Sequence, residues 1–347
     1  KATGISTFQN HNFVQKRKQR EHPPSKFLFL FKKESYTKKM ISKIDLGKLI
    51  EICSKHLMIP ALYYNLKKKK ILNLFPKDFT EYIYKIYSLN KERNQILINE
   101  LFDLANLFDK NNLKYVFLKG SSNITSNCFD DISERMVGDI DFLFEKNNEK
   151  KVIEILNKNG YYNNGYNDFF DFRHTPRMVN PKKYFAIEPH RYIISKKNVI
   201  SNNIVFKSVN EKLKIKTPDY LNQLYINIYN YQINDNGYEQ LSYSFKNIYD
   251  TVKLLEKIDS SEIKFEKSKE LKRYFIILNK LNIFDYRAFD MKTTTLLKLK
   301  YNFINLYKIY ISLIKLRQNL RFKKIQMIEF LKNKNYRNYL FSKLFTH

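Results

Sequence analysis

The chain has 347 residues, with 63 lysines and arginines against 34 aspartates and glutamates, giving a formal net charge of +29. Its 43% apolar content excludes a disordered composition, and its length allows two domains or one domain with helical additions. Only two cysteines, Cys53 and Cys128, are present, which excludes a disulfide framework and a cysteine-rich zinc site.

The charge permits a polyanionic partner such as RNA, because lysine and arginine replace counterions along a phosphate backbone. It does not require one. Lysine, asparagine, isoleucine, tyrosine and phenylalanine are all abundant and have A/T-rich codons, so genome composition supplies a second explanation. No apolar run reaches the ~20 residues that a membrane-spanning helix needs. The FLFLF run at 27–31 is too short for a signal-peptide core. The reading is a soluble, cytoplasmic protein without membrane attachment.

Residues 1–40 are polar and basic, with KRKQREHPPSK in the middle, and read as a flexible arm. Residues 41–112 carry helical spacing. Ile44, Leu46, Leu49, Ile50, Cys53 and Leu57 share roughly one face, broken at Pro60; Ile96, Leu97, Leu101, Leu104, Leu107 and Phe108 repeat the period. His56 stands among these apolar positions with no second ligand nearby and reads as a packed or surface residue rather than a ligand.

The period then changes. LKYVFLKG (113–120) reads as a buried strand closed by a glycine turn, and GDIDFLFEK alternates like a strand. NNEKKVIEILNKNGY reads as a helix ended by Gly160, and KKYFAIEPHRYII (182–194) as a further strand. After about residue 206 helices return. TPDYLNQLYINIYNY is expected to start with Thr217 as N-cap and Pro218 in the first turn. SYSFKNIYDTVKLLEKI and an amphipathic, basic, tyrosine-rich C-terminal stretch follow. The expected class is α+β: a 113–205 core of a small mixed sheet with helices, between helical regions at 41–112 and 206–347.

Asp139 and Asp141 lie two apart on the alternating strand, so both carboxylates are expected on one face. Hard divalent cations take oxygen ligands, so such a pair suits Mg²⁺ or Mn²⁺. Glu188, on the next strand, offers the third carboxylate of a two-metal clamp. Gly120, Ser121 and Ser122 would let backbone amides approach an anion, with Lys119 and Arg135 beside them to neutralise phosphate. Gly138 is expected to let the aspartate-bearing strand lie close to that anion. Each feature is weak alone: a D-x-D is more often a strand edge, and a lone glutamate usually carries no role. Their order carries the reading.

That order resembles the DNA polymerase β-type nucleotidyltransferase superfamily. More narrowly it is similar to a bacterial branch of uncharacterised nucleotidyltransferase-family proteins. The motifs are Leu118-Lys119-Gly120, Arg135-Met136-Val137-Gly138-Asp139-Ile140-Asp141 and Glu188-Pro189-His190, sharpest over about 113–194. The resemblance implies a polymerase β-like core that moves an NMP from an NTP, such as ATP, to an acceptor hydroxyl. Asp139, Asp141 and Glu188 would hold Mg²⁺ or Mn²⁺, with Glu188 as a base. Lys119, Gly120, Ser121, Ser122 and Arg135 would meet the nucleotide, while His190 would orient substrate or Glu188. His174, between the D-x-D and the Glu188 strand, reads equally as a surface residue or as a substrate contact. Family members often carry a histidine where this chain reads NQLYINIYN, and it is missing here. Asp250 matches a recurrent acidic position and reads as structural. The acceptor stays open among RNA such as tRNA, a protein side chain and a small hydroxylated molecule. The alternative is a protein of the same fold that binds nucleotide or RNA without turnover.

Overall fold

The computed structural model describes residues 41–163, 169–170, 172–196, 199–212, 214–286 and 290–344. The expected basic arm and the FLFLF run lie outside them. Three helices come first: α1 (Leu46–Lys55), α2 (Ile59–Lys68) and α3 (Lys77–Lys110). Asp45 caps α1 by accepting from the Lys48 amide at 2.9 Å. Pro60 does not merely end the first apolar stretch; it sits in the first turn of α2, where its missing N–H costs nothing. His56 packs edge-on against Phe245, with ring centroids 4.9 Å apart.

Helix α3 buries one stripe: Phe79, Ile83, Tyr87, Asn90, Asn94, Leu97, Leu101, Leu104 and Phe108. Steps of three and four keep these residues on one face. Two asparagines in a buried stripe require partners, and the loop at 132–137 supplies them. Asn90 donates to the Ser133 carbonyl at 2.7 Å and Asn94 to the Arg135 carbonyl at 2.8 Å. Arg93 donates to the Val137 carbonyl. A helix far upstream thereby fixes the chain just before Asp139.

A five-stranded mixed sheet follows, built from β1 (Tyr115–Phe117), β2 (Ile140–Phe144), β3 (Tyr162–Asn163), β4 (Met178–Val179) and β5 (Ile187–His190). Its order is β1-β2-β5-β4-β3, with β2 and β5 parallel and the other neighbours antiparallel. The expected α+β class is the one observed. The strands are shorter than the apolar runs suggested, and every residue of β2 is buried on both faces. Helix α4 (Lys119–Thr125) leaves β1, and α5 (Glu149–Lys158) leaves β2. Gly160 ends α5 with φ +82°, a conformation that glycine adopts without a Cβ clash.

The short helix α6 (Asn202–Lys207) leads into an antiparallel ribbon of β6 (Val209–Lys212) and β7 (Ile215–Pro218). Thr217 and Pro218 pair within that ribbon, so they do not start the next helix as expected. Asp219 caps it instead, accepting from the Asn222 amide at 2.7 Å. That helix, α7 (Tyr220–Tyr229), runs into a π-helical turn at Asn230–Asn234, then α8 (Gly237–Gln240) and α9 (Phe245–Leu255). Helices α10 (Lys269–Lys280), α11 (Met291–Asn302), α12 (Ile304–Lys332) and α13 (Lys334–Leu344) complete the chain. One apolar core joins the N-terminal helices, the sheet, and α7, α9 and α10. Leu306, Ile309, Leu313, Leu316 and Leu320 form an exposed stripe along the outer side of α12. No helix among the described residues is long and apolar enough to cross a membrane.

Candidate active site

The parallel register of β2 and β5 sets Asp141 opposite Glu188 and Leu143 opposite His190. Parallel pairing brings same-face residues of the two strands together, and it gathers a donor cluster. One ligand atom each from Asp141, Glu188 and His190 lie within 4.8 Å of one another. Asp139 is outside that group. It precedes β2 and is half-buried, so the D-x-D spans a strand start rather than two positions of one strand.

Asp141 is 4% exposed and is held from two sides. The Lys119 ammonium pairs with its Oδ1, and His190 Nε2 lies 2.7 Å from the same oxygen. Burial alone would raise the Asp141 pKa, but Lys119 and the His190 hydrogen bond outweigh it and hold the carboxyl well below the usual range. His190 is fully buried, and desolvation lowers its pKa to about 4 despite that bond. At neutral pH it is therefore an uncharged imidazole donating through Nε2. Its Nδ1 has no partner among the described residues.

Glu188 moves the other way. Burial first, then the charges of Asp141 and Asp139, push it up to about 7. Asp139 is also raised, by burial and by Asp141. Three carboxyl groups thus share a region with too little positive charge to ionise all of them easily.

Lys119 adopts φ 54°, an unusual conformation for a residue with a Cβ, at the junction of β1 and α4. The Leu118 amide donates to the Asp141 carbonyl at 2.9 Å, so β1 and β2 meet where the lysine turns. A Cβ on Gly120 would lie 3.0 Å from Val137 Cγ2, so this glycine allows the close approach of α4 to the 132–137 loop. At Gly138 a Cβ would meet no atom of the described residues within 4 Å.

A cleft of about 180 Å³ opens beside these residues. Lys119, Gly120 and Arg135 line it, together with Asn227, Asn230, Asp235, Lys246 and Asp250. Ser121 and Ser122 do not. Both are buried within α4, and neither hydroxyl has a partner among the described residues. Arg135 is committed within the protein, its Nε donating to Asp250 Oδ1 at 2.8 Å and Oδ2 at 3.0 Å. Asp250 is thereby the partner that holds Arg135 at the cleft.

His174 forms a bridge with His190, and their rings are 5.4 Å apart. Its Nδ1 is 2.7 Å from the Thr175 carbonyl. Desolvation lowers its pKa as well.

Sequence reasoning did not single out Lys246, Arg173, Asp235 or the asparagines of α7. Lys246 lies on α9 one turn before Asp250, and the nearby Arg135 charge and burial lower its pKa to about 8. Arg173 donates to Asn230 Oδ1 at 2.9 Å, tying the segment before β4 to the π-helical turn. The only local signals were the Lys246/Asp250 spacing and the Arg173-His174 pair. The asparagines stand on the helix where a histidine was expected from the family.

A nucleotidyltransferase family is the class this sheet and carboxylate cluster define. Residues 42–273 match the model of a family described as an uncharacterised nucleotidyltransferase, and the chain belongs to that family. Among solved structures, it is similar to a solution structure of the antibiotic-resistance factor ANT(2'')-Ia. Identity is 11%, 54% of this chain and 97% of that chain are covered, and the TM-score is 0.36. No curated protein matches the chain.

Proposed function

We propose that this protein transfers a nucleoside monophosphate from an NTP to an acceptor hydroxyl, and that Asp139, Asp141 and Glu188 hold Mg²⁺ or Mn²⁺ for the reaction. The registered Asp141–Glu188 pair, with its clustered donor atoms, carries the reading. The donor set fits a hard cation: carboxylate oxygens, whose burial and mutual repulsion push Glu188 up to about 7. Both Lys119 and His190 bind Asp141 Oδ1, leaving Oδ2 without a hydrogen bond among the described residues. When bound, the cation would supply Lewis-acid polarisation and neutralise phosphate charge.

The chain's own groups supply the rest. The acceptor oxygen forms a bond to the α-phosphorus, the bond from that phosphorus to the bridging oxygen breaks, and pyrophosphate leaves. Glu188 takes the hydroxyl proton. His190, uncharged and buried, fixes the Asp141 carboxylate. Lys119 and Lys246 offer positive charge to the phosphates across the cleft, and Arg135, anchored by Asp250, adds a fixed one.

The test uses each α-³²P-labelled NTP in turn with Mg²⁺ or Mn²⁺ and, separately, RNA, protein and small-molecule fractions. Metal-dependent label transfer by the wild type, absent from Asp139→Asn/Asp141→Asn, supports the reading and identifies the acceptor class. The Lys119–Asp141 pair favours a second reading, a binding module in which the lysine occupies the carboxylate. NTP binding that ignores metal, without label transfer, would favour it.

A further inference from the structure

A second cavity lies on the other side of the π-helical turn, where α12 crosses α8 and α10. Its volume is about 350 Å³, within the range of small-molecule sites. The turn separates the two spaces: Asn230, Tyr231 and Asp235 line the carboxylate-side cleft, while Gln232, Ile233 and Asn236 line this one. Its α12 wall is fastened in place. Gln318 donates to Asn236 Oδ1 at 2.8 Å, and the Tyr310 hydroxyl to the Glu239 carbonyl at 3.1 Å.

Two features of the lining point to a ligand. Gln232 is 1% exposed, yet neither its amide nitrogen nor its oxygen has a partner among the described residues. A buried amide left unpaired costs free energy, so it is a group that a bound molecule would satisfy. The lining also carries Lys196, Lys269, Arg317 and Arg321 against only Glu239 and Glu270. Lys196 is paired with Glu270 Oε1 at 3.1 Å, while Glu270 Oε2 is buried without a partner among the described residues. Arg317 and Arg321 stand four apart on α12, so they share one face, and guanidinium forks suit phosphate.

We propose that this cavity is a second ligand site, separate from the carboxylate cluster, for a nucleoside monophosphate. Arg317 and Arg321 receive the phosphate, and the Gln232 amide, with donors and an acceptor side by side, meets the hydrogen-bonding edge of the base. The proposal does not depend on nucleotidyl transfer at the first site.

The test is calorimetric titration of the full chain with AMP, GMP, CMP and UMP in turn, in EDTA. The expected result is binding of at least one that persists in Asp139→Asn/Asp141→Asn. Arg317→Ala/Arg321→Ala should weaken it by roughly ten-fold or more, the scale of losing charge-assisted hydrogen bonds. Gln232→Leu should weaken it too, while leaving the unliganded protein at least as thermostable as wild type, since the substitution removes an unpaired buried amide. Inorganic phosphate titrated in parallel reports the arginine contribution alone. Absence of binding by all four monophosphates would overturn the proposal. So would binding lost in the aspartate variant but kept in the arginine variant, because it would place the nucleotide at the first site. A Gln232→Leu protein that is destabilised, with unchanged binding, would make Gln232 a packing residue.

Discussion

Replacing Glu188 with glutamine should abolish metal-dependent activity and yet stabilise the metal-free protein. Burial and the charges of Asp141 and Asp139 raise Glu188 from an ordinary 4.5 to about 7, and its side chain is only 18% exposed. A raised carboxyl binds its proton more tightly in the folded state than in the unfolded one. Its stabilising contribution is therefore complete below 4.5, falls as pH rises toward 7, and is gone above it. At about 1.36 kcal/mol per pH unit, ionised Glu188 costs the folded state about 3 kcal/mol at pH ~8.5 and under ~1 kcal/mol at pH ~5. Urea denaturation in EDTA at both pH values reads this directly. Glu188→Gln should exceed wild type by about 3 kcal/mol at the higher pH and by much less at the lower. Saturating Mn²⁺ should then stabilise wild type but not the variant. Equal pH dependence of the two proteins would refute the reasoning.

Gly120→Ala should cost about 1–3 kcal/mol, because its Cβ would meet Val137 Cγ2 at 3.0 Å, and Val137→Ala should restore most of the loss in thermal melts. Arg135→Ala and Asp250→Ala should each destabilise by about 3–5 kcal/mol, with the double variant far less than additive, since each leaves the other's charge buried. Lys246→Met should raise the KM for NTP at pH 7. In wild type, NTP affinity should weaken as pH rises through about 8, where Lys246 loses its proton, and the variant should lack that inflection. Asp141→Asn should remove Mn²⁺ binding and reduce transfer by about two orders of magnitude or more, checked by calorimetry and label transfer.

Much of the sheet was legible because its punctuation is chemical. Gly160 marked the end of a helix, and the apolar runs around Val116, Phe142 and Ile187 marked the paired strands. The order of Gly120, Asp141 and Glu188 pointed to elements that the fold places side by side. Other features were not local. Thr217 and Asp219 are both good capping residues, and only the β6–β7 ladder, which claims Thr217, decides between them. Ser121 and Ser122 read as loop residues facing an anion, but α4 starts at Lys119 and turns both inward. Lys246 and Asp235 reach the cleft from elements about a hundred residues downstream of the D-x-D, a juxtaposition that sequence spacing does not encode. The strand that carries Asp141 begins at Ile140, so Asp139 stands just before it.

The central claim is that the protein moves a nucleotidyl group, and the position of the label tests it most directly. Parallel reactions with α-³²P- and γ-³²P-labelled NTP, in Mg²⁺ and the acceptor fraction that works, separate the bond broken. Label from the α position on the acceptor, with γ label released as pyrophosphate and both signals lost in Asp139→Asn/Asp141→Asn, is the predicted result. Transfer of the γ label to the acceptor, or α transfer that survives in the aspartate variant, would contradict it.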